Sequence, residues 1–237
     1  MKSRSRRWII IAGILLLIII LNYEILSRYS WSHWNMPLSG RVIVLDAGHG
    51  APDGGADYGN LYEKDIALKI TKYLKDYLQE QGALVLMTRE GDSDLADPDQ
   101  KGYSARKAVD LQRRATFINN SDGDLFVSVH LNASPSETWH GAQTFYDPKS
   151  ESNEEFASFL QDSFRTQLGN TNRSASATSS IYLLKASKIP SALVEVGFIT
   201  NPDERNLMKT AAYQKKIAGA IYNGIMRYYT NEKTPPK

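Results

Sequence analysis

From Arg41 onward the chain alternates short apolar runs with longer amphipathic stretches, a β, α, β, α, β order. That alternation constrains the fold more than any composition, because it calls for a largely parallel sheet with helices packed on its faces. It predicts strands at Val42–Asp46, Leu84–Thr88, Leu125–His130, Ala142–Tyr146, Ile181–Leu184 and Ala192–Val196. Helices are expected over Lys64–Gln81, Ser104–Asn119, Glu151–Leu168 and Tyr213–Tyr229, with a short one opened by Asn201–Pro202. The fold class expected is therefore α/β, a single three-layer domain with a mostly parallel twisted sheet and no internal repeat.

Ahead of this domain Lys2, Arg4, Arg6 and Arg7 precede an apolar run from Trp8 to Leu21. Basic residues followed by an apolar run are the order of a secretion signal or a membrane anchor. No small-x-small cleavage site follows Leu21, which favours a retained anchor with the domain on the outer face of the membrane. The expected organisation is 1–28 signal or anchor, 29–40 linker, 41–230 catalytic domain and 231–237 tail.

Two exclusions follow from composition. The chain has no cysteine, which rules out a disulfide framework, a thiolate metal site and a Cys nucleophile. Its net charge of +2 belongs to the N-terminus: beyond residue 30 there remain 23 basic against 25 acidic side chains. The exported part carries no electrostatic footprint for nucleic acid.

The first strand runs into "LDAGHGAPDGGA", where a strand ending in a Gly-rich turn accounts for every residue except His49. Of the four histidines, His33 lies in the linker and His140 in a loop, whereas His49 follows the first strand and His130 ends the third. In a parallel sheet the carboxyl ends of strands converge on one crevice, so these two can meet there. Glu63, 14 residues after His49, can be brought back by the Gly-rich loop, and Glu195 in "SALVEVGF" reaches the same rim. Two His and one carboxylate make a ligand set for a catalytic zinc, with a further Glu as general base. Plainer roles compete: a helix-start Glu matches the helix dipole, and Glu195 could pair with Arg89 or Arg113. Asp46 and Asn132 lie beside these positions as orienting groups or strand-end caps. The acidic run "EGDSDLADPDQKG" fits no calcium loop and reads as a solvated loop. Arg89, Arg106, Arg113 and Arg173 are available to carboxylates of a substrate.

"LDAGHGAPDGGA", Glu63, "SVHLNAS" and "PSALVEVGFITNPDE" together resemble the zinc-dependent N-acetylmuramoyl-L-alanine amidases over about Arg41 to Tyr229. The resemblance implies that His49, Glu63 and His130 are the ligands of Zn2+ and Glu195 the catalytic carboxylate. It implies hydrolysis of the amide between the lactyl group of N-acetylmuramic acid and L-alanine of the peptidoglycan stem. Ala47 and Ala51 depart from the family's usual Pro and second Gly, and neither removes a ligand. "SWSHWNMPLSG", "KGYSARKAVDLQRR" and "LNASPSETWHGAQTFY" are similar to the germination-specific branch of endospore formers. That branch implies action in spore cortex on the way to muramic-δ-lactam, with a sporulation lipoprotein or a muramic-acid deacetylase as partners. A stem-peptide carboxypeptidase and a membrane-tethered protein with a dead site are the alternatives.

Overall fold

In the computed structural model, residue 8 and residues 11–23, 36–230 and 232–235 are described. A six-stranded sheet has the order β4-β1-β5-β8-β6-β7. Its members are β1 (Val42–Ala47), β4 (Leu84–Met87), β5 (Leu125–Asn132), β6 (Gln143–Tyr146), β7 (Ser176–Ala177) and β8 (Ser191–Phe198). Strands β4, β1, β5 and β8 run parallel, β6 is antiparallel to β8, and β7 is parallel to β6. A separate two-stranded hairpin pairs β2 (Asp57–Tyr58) with β3 (Leu61–Tyr62).

The strand period of two divides the core between the two faces. On one face Ile43, Leu45, Val127, Val129, Val194 and Val196 join the larger apolar cluster. Packed there are α2 (Glu63–Glu80), α4 (Glu151–Ser163) and α7 (Ala211–Tyr229). On the other face Val44, Phe126 and Leu193 pack with Ala115 and Ile118 of α3 (Tyr103–Asn119) and with Leu183 and Leu184 of α5 (Tyr182–Ala186). Two positions further along each strand that second face turns polar, with Asp46, Ser128 and Glu195, and then His130 beyond Ser128. The site is therefore built on the same face, at the carboxyl ends of the parallel strands.

Helix α2 starts without a side-chain cap, since Tyr62 at its N-cap makes no capping hydrogen bond. Packing compensates: Ile66, Ile70, Leu74 and Leu78 are all buried, each contributing about 1.5–3 kcal/mol against the ~1 kcal/mol of a missing cap. The helix predicted at Glu151–Leu168 ends as a π-helical turn, Phe164–Leu168, closed by Gly169 at φ 64°. Asn201 caps α6 (Pro202–Met208) by accepting from the backbone N–H of Asp203 and Glu204.

One expected strand is a helix. Ile181–Leu184, expected as a strand, contributes instead to the single turn α5, Tyr182–Ala186. A strand would send Leu183 and Leu184 to opposite faces, whereas the helical turn buries both in the second cluster, at 4% and 0% exposure. Leu, Lys and Ala are also good helix formers. The hairpin β2–β3 and strand β7, two residues each, are too short to leave a periodic signal.

Residues 11–23 form a helix, α1, with exposed apolar side chains. Among the described residues no helix is long and apolar enough to cross a membrane. His33 and most of the linker, residues 29–35, lie outside the described residues.

Candidate metal centre

The sheet order reverses at β1, whose neighbours are β4 on one side and β5 on the other. Open α/β sheets form their ligand crevice at such a point, and His49 follows β1 while His130 stands near the end of β5. Glu63 is the first residue of α2. The hairpin β2–β3 and a bridge between Gly50 and Asp53 fold the intervening loop back on itself and return Glu63 to His49.

The Glu63 carboxylate lies between the two imidazoles. Its Oε2 is 3.2 Å from His49 Nε2, and its Oε1 is 2.9 Å from His130 Nδ1. The same oxygens accept from the backbone N–H of Ala56 at 2.8 Å and of Leu131 at 2.9 Å. Burial opposes ionisation of Glu63, but the hydrogen bonds and charge of His130 and His49 outweigh it and hold the carboxyl well below its usual range. Burial likewise opposes the charged form of His130, and Glu63 more than offsets it, so the net direction is upward. One ligand atom from each of His49, Glu63 and His130 can be chosen so that all three lie within 4.8 Å of one another. The surface-dipole role for Glu63 does not fit a side chain 4% exposed between two histidines.

Glycines make this approach possible. A Cβ on Gly48 would stand 2.6 Å from His130 Nε2, and one on Gly55, at φ +69°, would stand 2.5 Å from Glu63 Oε2. Any side chain at either position would displace a member of the cluster.

His49 itself has φ 61°, left-handed for a residue that is not glycine. Two buried arginines hold the loop there. Arg89 donates Nε to Ala47 O and Nη2 to Gly48 O, both at 2.8 Å. Arg114 donates Nη2 to His49 O at 2.5 Å and Nη1 to Ala47 O at 3.0 Å and to Asp46 Oδ1 at 2.6 Å. Its Nε reaches both carboxylate oxygens of Asp110 at 3.0 Å. Asp46 accepts in addition from Thr88 and Ser128, each at 2.6 Å. Burial raises the pKa of Asp46, while Arg114, His130, Ser128 and Thr88 bring it down to about 2. Asp46 thus hydrogen-bonds Arg114, Thr88 and Ser128 rather than an imidazole, acts on His130 through its charge, and anchors Arg114. The side chain of Asn132 accepts at Oδ1 from the N–H of Ala133, and its backbone carbonyl accepts from the N–H of Ile199.

Asp53 was missed in the sequence. Its Oδ2 lies 2.9 Å from His49 Nδ1, and it also accepts from Tyr103 Oη at 2.8 Å and pairs with Lys107 at 3.1 Å. A hydrogen bond from His49 Nδ1 to this carboxylate leaves the Nε2 lone pair facing Glu63, the tautomer a metal ligand needs. The signal was the spacing H-x-x-x-D inside the quoted loop.

Glu195 stands on β8 directly beside His130 of β5 on one side and Gln143 of β6 on the other. Neither Arg89 nor Arg113 reaches it: Arg89 serves backbone carbonyls, and Arg113 pairs with Asp97. Glu195 Oε2 is out of solvent and has no hydrogen-bond partner among the described residues. Burial pushes its carboxyl up to about 7, with the charge of Glu63 adding to the rise and those of His130 and His49 opposing it. The other expected residues stay apart. His140 is exposed and bonds Thr138 O, and Arg106 is held by Asp94 at 2.7 Å. The acidic run is not free either, since Asp92, Asp94 and Asp97 strap it to Lys64, Arg106 and Arg113.

Two imidazole nitrogens and one carboxylate oxygen in a crevice, with an unpartnered carboxylate alongside, suit a divalent metal with open positions. Residues 43–227 match the family N-acetylmuramoyl-L-alanine amidase. The chain belongs to that family. Among amidase relatives, it is 48% identical over 235 residues to the germination-specific N-acetylmuramoyl-L-alanine amidase of Bacillus subtilis, covering 99% of each. It is 35% identical over 195 residues to the amidase LytC of the same organism, covering 81% of this chain and 36% of LytC. Of solved structures, the CwlD amidase of Clostridioides difficile, in complex with the GerS lipoprotein, superposes with a TM-score of 0.79 at 38% identity. That match covers 81% of this chain and all of the other. The chain hydrolyses the amide between N-acetylmuramic acid and L-alanine, on an α/β domain with a mostly parallel sheet.

Proposed function

We propose that His49, Glu63 and His130 hold a zinc ion and that Glu195 is the general base of amide hydrolysis in spore cortex peptidoglycan. The observation that carries this is the buried Glu195 Oε2, without a partner, next to a three-donor cluster that suits the metal. A carboxylate costs several kcal/mol to bury unpaired, and a catalytic site is where such a cost is retained.

Zinc, when bound, supplies an acidified water and a Lewis-acid contact for the amide carbonyl. Glu195 takes the water proton and delivers it to the nitrogen of the leaving L-alanine. Burial raises the proton affinity of this carboxyl, the direction a general base needs. Glu63 stays ionised, Asp53 fixes the His49 tautomer, and Arg89 and Arg114 hold the loop that presents His49.

Similarity to the germination-specific amidase over the full length supports a role in cortex maturation. Removing the stem peptide frees the lactyl carboxyl for muramic-δ-lactam closure, a step that needs a muramic-acid deacetylase to expose the amine. A lipoprotein partner is supported by the complex in which the C. difficile amidase was solved. The apolar run of residues 8–21 supports attachment at the outer face of the membrane, where peptidoglycan lies. Incubation of the zinc-loaded protein with defined muropeptides, followed by mass analysis, tests the reaction. Free stem peptide beginning with L-alanine is expected; release of a terminal D-alanine alone would mark a carboxypeptidase instead.

A further inference from the structure

A groove of about 630 Å³ opens beside the end of β8, walled by Trp139, His140, Asn170, Asn172 and Arg173. Its frame is rigid. Glu204, only 6% exposed, accepts from the backbone N–H of Gly141 at 3.0 Å and of Phe198 at 2.7 Å, and from Asn170 Nδ2 at 3.2 Å. One buried carboxylate thus ties together the start of β6, the end of β8 and the loop carrying Arg173.

Arg173 is fixed in this frame but not neutralised. Its Nη1 donates to Gly141 O at 2.8 Å, and its guanidinium lies 5.6 Å from the Phe198 ring and 5.9 Å from that of Trp139. Arg41, Arg106, Arg113, Arg114, Arg165 and Arg227 all pair with carboxylates. Arg89 and Arg205, at 5% and 9% exposure, are buried against backbone carbonyls. Arg173 alone among the described arginines presents spare donors to a groove with no acidic partner. Trp139 next to it is 54% exposed, an aromatic face left open to the same groove.

We propose that this groove is the stem-peptide subsite, in which Arg173 receives a free carboxylate of the second or third peptide residue and Trp139 covers the adjoining chain. The inference rests on Glu195 marking the reaction centre. Phe198 lies beyond Glu195 on β8, past a bulge that sets Glu195 beside His130 and Phe198 beside Asn132, so the two are about 7 Å apart at the rise of a strand. Two extended peptide residues span about the same distance from the scissile amide. The uncompensated cation suits the stem carboxylates, since the glycan's hydroxyl and acetamido groups carry no charge and the lactyl carboxyl of the residue being cleaved is held in the scissile amide. Binding fixes the position of the stem and so favours substrates with acid groups on it.

The test compares two substrates, N-acetylmuramoyl-L-alanyl-γ-D-glutamyl-L-lysine with free carboxylates and its fully amidated counterpart, on the full chain. Arg173→Ala is expected to lower kcat/KM on the acid substrate about 10- to 100-fold, chiefly through KM, the range of a lost charge-assisted hydrogen bond. The amidated substrate should be cleaved equally by both proteins, and Arg173→Lys should fall between. An equal loss on both substrates, or no loss on either, overturns the proposal. Calorimetry with the free tripeptide L-alanyl-γ-D-glutamyl-L-lysine separates the two readings. Arg173-dependent binding without hydrolysis by the wild type removes the reaction centre and keeps the subsite; hydrolysis with Arg173-independent binding does the reverse.

Discussion

Arg114 is the side chain whose loss is expected to cost this fold most. It is 1% exposed, and its guanidinium neutralises Asp46, itself 1% exposed, and Asp110 at 6%. Arg114→Met leaves Asp46 with two hydroxyl donors and no directly bonded countercharge, only the more distant charges of His130 and Arg89. Breaking a buried ion pair from one side costs about 3–5 kcal/mol. The carbonyl of Ala47 stays satisfied by Arg89, whereas that of His49 is orphaned, adding about 1–3 kcal/mol. Against a total stability of about 5–15 kcal/mol, the variant should survive at low temperature with a much lower urea midpoint. The double variant Asp46→Asn/Arg114→Met removes one stranded charge and should recover at least about 1 kcal/mol over the single. Because Arg114 holds His49 in its left-handed conformation, metal affinity of the folded fraction should fall about 10- to 100-fold. A single variant within about 1 kcal/mol of wild type, or a double variant no better than the sum of the singles, would refute the ion-pair reasoning.

His49→Ala, Glu63→Ala and His130→Ala should each lose stoichiometric zinc by elemental analysis while His140→Ala keeps it, since three protein ligands tolerate no deletion. Asp53→Asn should retain zinc with affinity reduced about 10- to 100-fold in a competition titration, because the amide no longer holds His49 in one tautomer. Acid should unfold the protein as Asp46 protonates. A folded-state pKa of about 2, below the ordinary 3.8, gives stability that is full above about pH 4 and lost as pH falls through 2. The shift amounts to about 2 kcal/mol, and Asp46→Asn should flatten that part of the stability curve measured by urea midpoint against pH.

The sheet and its long helices were legible because their periods are strong: α2 repeats Ile66, Ile70, Leu74 and Leu78, and β5 is apolar from Leu125 to Val129 but for Ser128. His49 and Glu195 were legible as anomalies, a histidine that no turn requires and a carboxylate in an apolar strand. Strand alternation went unused, although it places Glu195 with Leu193 on the face opposite Val194 and Val196. The arginine clamp was hidden because Arg114 reads as one more charge on an amphipathic helix, and only the fold brings it to Asp46, 68 residues away. Arg173 was legible only as one of four arginines available to substrate carboxylates, and it is the surroundings supplied by β6, β8 and α6 that set it apart. The helix α5 was misread because five residues of mixed propensity carry no period.

Glu195→Gln tests whether Glu195 is the base beside a metal held by three other residues. The amide keeps the size of the carboxylate but cannot take a proton. The variant should fold, hold zinc at wild-type stoichiometry, and cleave the lactyl-alanine amide about 10²- to 10⁴-fold more slowly. A well-folded, zinc-loaded Glu195→Gln protein with near-normal turnover would contradict the account and remove Glu195 from the mechanism.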